Sequence, residues 1–357
     1  MRVGVVGVNF GAVVHIPGFQ SEGVEVVAVC ARREETASET AERFGIPRVF
    51  TDYDAMLRMD GLDAVSIASP EQLHAPMTLA ALAAGKHLIC EKPFAIDQTE
   101  ARKVLDAARA SGLTAMVGHE FRFASGRMRA KELIDEGYIG NLRFALLRLI
   151  MGTPGTAGTR PGSPPPIATS ASSGFLGRLG SHYVDCLRHW FGEVESVSAD
   201  LTNFGVLQRD GAAAAAAAPD DSFLFTLKFA RGGMAQMVGS RAGSFPSAPG
   251  IEVYGDAGTL VTPQRGVNPP AHGTILGARV GEEKLQELEI PERLQPFTDE
   301  RDDRLMPFRL MVREFVRGVN EGTSPAPSLY DGFRCQQILD AALESSRTGR
   351  RIAIPPE

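Results

Sequence analysis

The 357-residue chain has little cysteine, and its four residues of that type, Cys30, Cys90, Cys186 and Cys335, lie far apart without metal-ligand spacing. No metal site is expected, and buried free thiols are. Basic charge is not in excess: 37 Lys and Arg stand against 43 Asp and Glu, for a net charge of -6 and a pI near 5.7. The face needed to neutralise a phosphate backbone is missing, so no nucleic-acid partner is expected. No apolar run is long enough to span a bilayer, and Met1 leads straight into Arg2-Val3-Gly4-Val5-Val6-Gly7, without a leader's basic segment or apolar core. The expectation is a cytoplasmic protein with no membrane partner. What is present is ordinary for a soluble chain, 43% hydrophobic and 22% charged, at a length that divides into two domains.

At the amino terminus, Val3 to Val6 form a strand that runs into Gly7-Val8-Asn9-Phe10-Gly11-Ala12, a small-residue turn opening a helix. Gly7 permits the tight turn, and the helix start offers free backbone N–H groups to a pyrophosphate. The dinucleotide pattern GxGxxG lacks its second and third glycines here, with Asn9 and Ala12 in their places. Asn tolerates left-handed backbone and Ala keeps helix and strand close, so Gly7, Asn9, Phe10, Gly11 and Ala12 remain candidates for the cofactor turn. Pro17 falls inside the following helix and predicts that it is short or kinked. A second strand from about Val24 ends in Cys30-Ala31-Arg32-Arg33. An acid that would take the ribose hydroxyls of NAD is absent, and Arg32 and Arg33 suit a 2′-phosphate instead, which favours NADP with NAD as the alternative.

Strand and helix then alternate: a helix over 34–44, strands near 48–50 and 63–68, helices capped near Asp52 and at Asp97, and strands at 87–90 and 114–118. This alternation predicts a doubly wound parallel sheet over residues 1–120. The loop Ser69-Pro70-Glu71-Gln72-Leu73-His74 leaves the carboxyl end of one strand and is expected to cover the nicotinamide side. His87-Leu88-Ile89-Cys90 reads as a buried parallel strand, and Glu91-Lys92-Pro93 follows at its carboxyl end, the edge where ligands bind in open α/β sheets. Lys92 there supplies a compact cationic donor for a substrate hydroxyl, and Pro93 restricts it to extended backbone.

From about residue 121 the style changes. A helix capped by Ser125 and ended by Gly137, a long strand over 141–151, and strands near 194–201, 223–230, 233–240 and 251–254 with short Gly-rich turns predict an α+β second domain, 121–357, built on a large, open, mainly antiparallel sheet. The stretch 152–173 is crowded with Gly, Pro, Ser and Thr and reads as a mobile loop. The alanine run 212–218 is too short to be a stable helix alone and reads as a flexible excursion. Two helices close the chain. Within this half, His182 and Asp185 fall one helical turn apart, and a histidine titrating near neutrality can exchange the proton of a hydroxyl.

The Gly7 to Ala12 turn, Ser69-Pro70 with His74, the run Ala80-Ala81-Leu82-Ala83-Ala84-Gly85-Lys86-His87, Glu91-Lys92-Pro93 and His119-Glu120-Phe121-Arg122-Phe123, in this order and spacing, resemble the Gfo/Idh/MocA family of NAD(P)-dependent oxidoreductases. The segment Gly174 to Gly192 resembles that family's second motif. The resemblance implies hydride transfer between nicotinamide and a sugar, cyclitol or related polyol. It implies Lys92 and His182 as catalytic groups, with Asp185 beside them, and Ser69, Pro70, His74, Glu91 and Lys92 at the cofactor. His119, Arg122 and Arg178 are further candidates at the substrate beside Lys92 and His182, and the resemblance implies a homodimer or homotetramer through the second domain's sheet. One position departs: many members carry aspartate four residues before the histidine, where Arg178 stands here. An arginine one turn away lowers an imidazole pKa where aspartate would raise it. Two other readings therefore stay open, a catalytically silent regulator that keeps the fold and a reductase for an anionic substrate gripped by Arg178 and Arg122.

Overall fold

The structure, a computed structural model, describes residues 1–152, 173–243, 249–264 and 268–357. It divides into two compact units, Met1–Phe123 with Asp299–Gln336, and Ala124–Thr298 with Gln337–Glu357.

The first unit is a six-stranded parallel sheet of β1 (Arg2–Val6), β2 (Glu25–Cys30), β3 (Arg48–Phe50), β4 (Ala64–Ile67), β5 (His87–Cys90) and β6 (Ala115–Val117), in the order β3-β2-β1-β4-β5-β6. Apart from the edge strand β3, its strands are short and largely buried on both sides, as in a parallel sheet with both faces covered. Between them run α1 (Ile16–Ser21), α2 (Glu34–Phe44), α3 (Tyr53–Leu57), α4 (His74–Ala83) and α5 (Gln98–Ser111). Asp52 and Asp97 cap α3 and α5, accepting from the N–H groups of Asp54 and Glu100 at 2.9 and 2.8 Å. Pro17 acts as the sequence implied. The helix after β1 opens with a π turn, Gly11–His15, before α1, and the Ile16 N–H reaches back to the Gly11 carbonyl. Pro17 has no N–H to continue an α ladder at that point, so the wider turn absorbs the mismatch.

The second unit holds β7 (Leu142–Gly152), β8 (Val194–Thr202), β9 (Ser222–Phe229), β10 (Met234–Gly243), β11 (Gly250–Gly255), β12 (Gly258–Pro263), β13 (Leu276–Arg279), β14 (Gln286–Glu287) and β15 (Ile352–Ala353). Among the described residues they form a nine-stranded sheet, β14-β13-β12-β11-β7-β10-β9-β8-β15, antiparallel throughout except for the β7–β10 pair. One face alternates to the inside and packs on α7 (Ser181–Phe191), where Phe175 and Phe191 meet Phe223 and Phe229 with ring centroids 5.6 and 5.4 Å apart. The helix α6 (Ser125–Asp135) precedes β7. Ser125 does not cap it; its Oγ accepts from the Gly273 N–H at 3.0 Å instead, a partner too distant in sequence to foresee. The alanine run is helical, α9 (Ala212–Ala217), rather than an irregular excursion. It follows α8 (Phe204–Asp210), whose start is held by Asn203 and Asp221 side chains, and packing beside α8 supplies what an isolated short helix lacks. The predicted loop 152–173 lies almost wholly outside the described residues.

Two helices end the chain, α10 (Leu305–Glu321) and α11 (Leu329–Thr348). The sequence reading placed all of 121–357 in the second domain, but residues 299–336 group with the first unit. The reason is burial: Phe308, Met311, Val312 and Phe315 of α10 complete the core formed by Val3, Val5, Val26, Val29 and Ile89 on one side of the parallel sheet.

Candidate active site

In the first unit the strand order reverses between β1's two neighbours, β2 and β4, so the turns after β1 and β4 flank a crevice at their carboxyl ends. Gly7 has φ +94, and a Cβ there would lie 2.2 Å from the Ala68 carbonyl oxygen. Only glycine lets the two turns approach this closely. Gly11 is also crowded, with Val5 Cγ1 3.1 Å from where its Cβ would be. The helix start at Phe10 and Gly11 has no side-chain cap, and Asn9 is exposed at the tip of the turn. Its backbone N–H groups fit a pyrophosphate. Arg32 and Arg33 are exposed just past β2.

At the end of β5, Glu91 is buried and Lys92 half-buried, and the Lys92–Pro93 peptide is cis. The Glu91 carboxylate takes the Lys92 N–H on Oε2 at 3.3 Å. On Oε1 it meets His15 Nε2 at 3.1 Å, and His15 Nδ1 lies 2.6 Å from Ser66 Oγ in β4. An ionised carboxylate can only accept, so His15 Nε2 carries the proton in that bond. Burial pushes the Glu91 pKa up, but the His15 hydrogen bond and the positive charge of Lys92 outweigh it and hold the carboxyl below its usual range. The space for this carboxylate is made by Gly118, where a Cβ would stand 2.5 Å from Oε1.

His74 has a structural part in these two turns. It is buried, with Nδ1 2.7 Å from the Pro93 carbonyl oxygen and Nε2 2.8 Å from that of Ser69. Both nitrogens lie against backbone carbonyls, one of which takes the N–H of the neutral ring, and the ring ties the loop after β4 to the turn after β5. Burial lowers its pKa, against the two carbonyls and Glu91. Glu91 likewise shapes the turn from inside. Ser69 and Pro70 form the loop that His74 holds.

Following β6, His119 and Glu120 are buried. Burial, helped by Glu91 and opposed by Lys92 and Arg304, pushes the Glu120 carboxyl up to about 8. Arg122, expected to grip an anionic substrate, is buried with its guanidinium 3.1 Å from Asp331. That ion pair commits it to the structure, and the anionic-substrate reading loses one of its two grips.

In the second unit a π turn, Leu176–Gly180, leads into α7 and carries Arg178, which is half-buried. His182 and Asp185 are both buried on the first turns of α7. The segment is anchored by Asp220, whose Oδ2 accepts from the Leu176 N–H at 2.9 Å and whose carbonyl takes the Phe175 N–H at 2.8 Å. Burial raises the Asp220 pKa to about 7 despite these bonds.

Sequence reasoning missed His15, Ser66 and Asp220. A histidine four residues beyond Gly11 and a lone serine in the otherwise apolar run Ala64–Ile67 were the available signals for the first two; nothing local marked Asp220. Among the described residues there is no cluster of three or more metal-ligating side chains, and no helix is long and apolar enough to cross a membrane.

Residues 1–119 match the oxidoreductase family's NAD-binding Rossmann fold, and residues 131–354 match the same family's C-terminal alpha/beta domain. The chain belongs to the Gfo/Idh/MocA oxidoreductase family. It is 26% identical to a levoglucosan dehydrogenase of Pseudarthrobacter phenanthrenivorans over 90% of this chain and 87% of that one. With a D-xylose 1-dehydrogenase (NADP(+)) of Haloferax volcanii it shares 27% identity over 99% of this chain and all of the other. A solved levoglucosan dehydrogenase in complex with NADH and levoglucosan superposes with a TM-score of 0.86 at 24% identity, covering 100% of each chain. Among the described residues this Gfo/Idh/MocA protein has a six-stranded parallel Rossmann sheet in one unit and a second, mainly antiparallel sheet in the other.

Proposed function

We propose that the protein transfers hydride between a nicotinamide dinucleotide, NADP in preference to NAD, and a carbon of a sugar, cyclitol or related polyol. The observation that carries this reading is the placement of Lys92 at the carboxyl end of β5, on a turn braced by buried Glu91 and His15, beside the switch-point crevice. Lys92 holds and polarises the substrate oxygen; His182, one turn before Asp185, exchanges the hydroxyl proton. Gly7, Asn9, Phe10, Gly11 and Ala12 would hold the pyrophosphate, Ser69 and Pro70 would border the nicotinamide, and the exposed Arg32 and Arg33 would take a 2′-phosphate. The bound dinucleotide would supply the hydride donor or acceptor. The names of relatives matched over nearly the whole chain, a levoglucosan and a D-xylose dehydrogenase, support a carbohydrate substrate.

Arg178, in place of the family's usual aspartate, favours a second reading, a regulator that binds cofactor and sugar without turning them over. Fluorescence titration with NADPH and NADH, followed by an absorbance scan over sugars and polyols, separates the two. The expected result is tighter NADPH binding, turnover of at least one carbohydrate, and a loss of about 10²- to 10⁴-fold in kcat for Lys92→Ala. Tight binding with no turnover across a broad panel selects the regulator.

Phe144, Leu224 and Met234 are 42%, 41% and 52% exposed on the outer face of the second unit's sheet. We assign this face to contact with a second copy, giving a cytoplasmic homodimer or homotetramer. Light scattering on a Leu224→Glu, Met234→Glu variant that still showed the wild-type mass would refute that assignment.

A further inference from the structure

The polar chain Ser66–His15–Glu91 is buried, and its three members come from three different segments of the first unit. Ser66 is on β4 and Glu91 directly follows β5, and both are less than a tenth exposed; His15 is fully buried. His15 closes the five-residue π turn that begins at Gly11, so the backbone segment at the cofactor turn and the imidazole that reaches Glu91 are one rigid piece. Its ring is fixed from the other side by Phe308 and Phe10, with centroids 4.4 and 5.4 Å away. Burying three polar groups in this way is costly unless they are mutually bonded, and here they are. The charged or titratable groups that act on the Glu91 carboxylate are His15, Lys92 and His74, and its charge in turn acts on Glu120 and Arg304.

We propose that His15 is a positioning residue for Lys92: held between Ser66 and Glu91, it fixes the carboxylate that seats the Lys92 backbone, and so links the dinucleotide turn mechanically to the catalytic amine. The assignment rests on the reading of Lys92 as the group that meets substrate oxygen. Without His15 the Glu91 carboxylate loses its principal compensation for burial, titrates at higher pH, and no longer anchors the turn in its ionised form.

The test uses the full-length protein labelled with ¹³C at glutamate carboxyls, with the Glu91 signal identified by Glu91→Gln. In His15→Ala the Glu91 midpoint should rise by about 1 unit or more, and the acid limb of the kcat profile should move up with it. NADPH affinity should change less than kcat. His15→Gln, which keeps a donor for Glu91 and an acceptor for Ser66, should restore both readouts. Ser66→Ala, a smaller change at the far end of the chain, should give a weaker shift in the same direction if His15→Ala folds poorly. An unchanged Glu91 midpoint in both His15→Ala and Ser66→Ala overturns the inference, as does a shifted midpoint with an unchanged kcat profile. Wild-type protein that never turns over a carbohydrate overturns the reading of Lys92 instead, while the Glu91 titration still reports on His15.

Discussion

Gly7→Ala is the substitution whose cost the structure defines best. Two effects add. Alanine at φ +94 carries the left-handed penalty of roughly 1–2 kcal/mol, and its Cβ would sit 2.2 and 2.4 Å from the carbonyl oxygen and carbon of Ala68, which are backbone atoms. Carbon atoms settle at about 3.5–4.0 Å, so the turns after β1 and β4 must part by more than about 1 Å, an overpacking cost of about 1–3 kcal/mol. The total is about 2–5 kcal/mol. Gly23→Ala provides the reference, because Gly23 has φ +71 with nothing within 4 Å of its would-be Cβ and pays the backbone term alone. Urea unfolding of the two variants, read by a probe in the first unit, should therefore show Gly7→Ala as the less stable by about 1–3 kcal/mol. NADPH titration should show at least an approximately tenfold weaker complex for Gly7→Ala, the equivalent of about 1.4 kcal/mol. Equal midpoints for the two variants, with NADPH affinity retained in Gly7→Ala, would refute the steric argument and the placement of the cofactor turn together.

Four further outcomes are expected. Arg32→Ala with Arg33→Ala should weaken NADPH by about tenfold or more while leaving NADH nearly unchanged, as seen in paired fluorescence titrations. The Glu120 carboxyl is raised to about 8 in the folded protein against about 4.3 when unfolded, so its ionisation costs stability progressively as pH climbs through that window. Glu120→Gln should thus gain on wild type between pH 5 and pH 9 in thermal melts, and a constant difference would contradict the burial of that carboxyl. By the same sign, with a pKa of about 7, Asp220→Asn should remove a loss of stability that wild type suffers between about pH 4 and pH 7. Asp97→Ala should cost about 1 kcal/mol in denaturant midpoint measurements, the worth of the cap on α5.

Much of the first unit was legible because its signals are local. The runs Val3–Val6 and His87–Cys90 are apolar and short, Gly45 and Gly112 end their helices in left-handed conformation, and Asp52 and Asp97 cap where their spacing said they would. The place of Lys92 just past a strand was legible in the same way. The misreadings share one cause, contacts made by packing that no local pattern announces. The packing of His74 between the carbonyls of Ser69 and Pro93 had no signal in the sequence. Arg122 looked like an anion grip until Asp331 neutralised it from 209 residues away. The alanine run looked too short for a helix until α8 packed beside it.

By itself the sequence determined the alternation of strand and helix, the edge on which Lys92 stands and the shortness of the helix at Pro17, since periodicity, glycine and proline act on the backbone within a few residues. The tertiary structure alone decided that Ser66, His15 and Glu91 form one buried chain, that Asp220 anchors the helix bearing His182, and that α10 completes the first unit's core. Those pairings depend on which surfaces lose their water together, and that is a property of the folded packing, not of any window of residues.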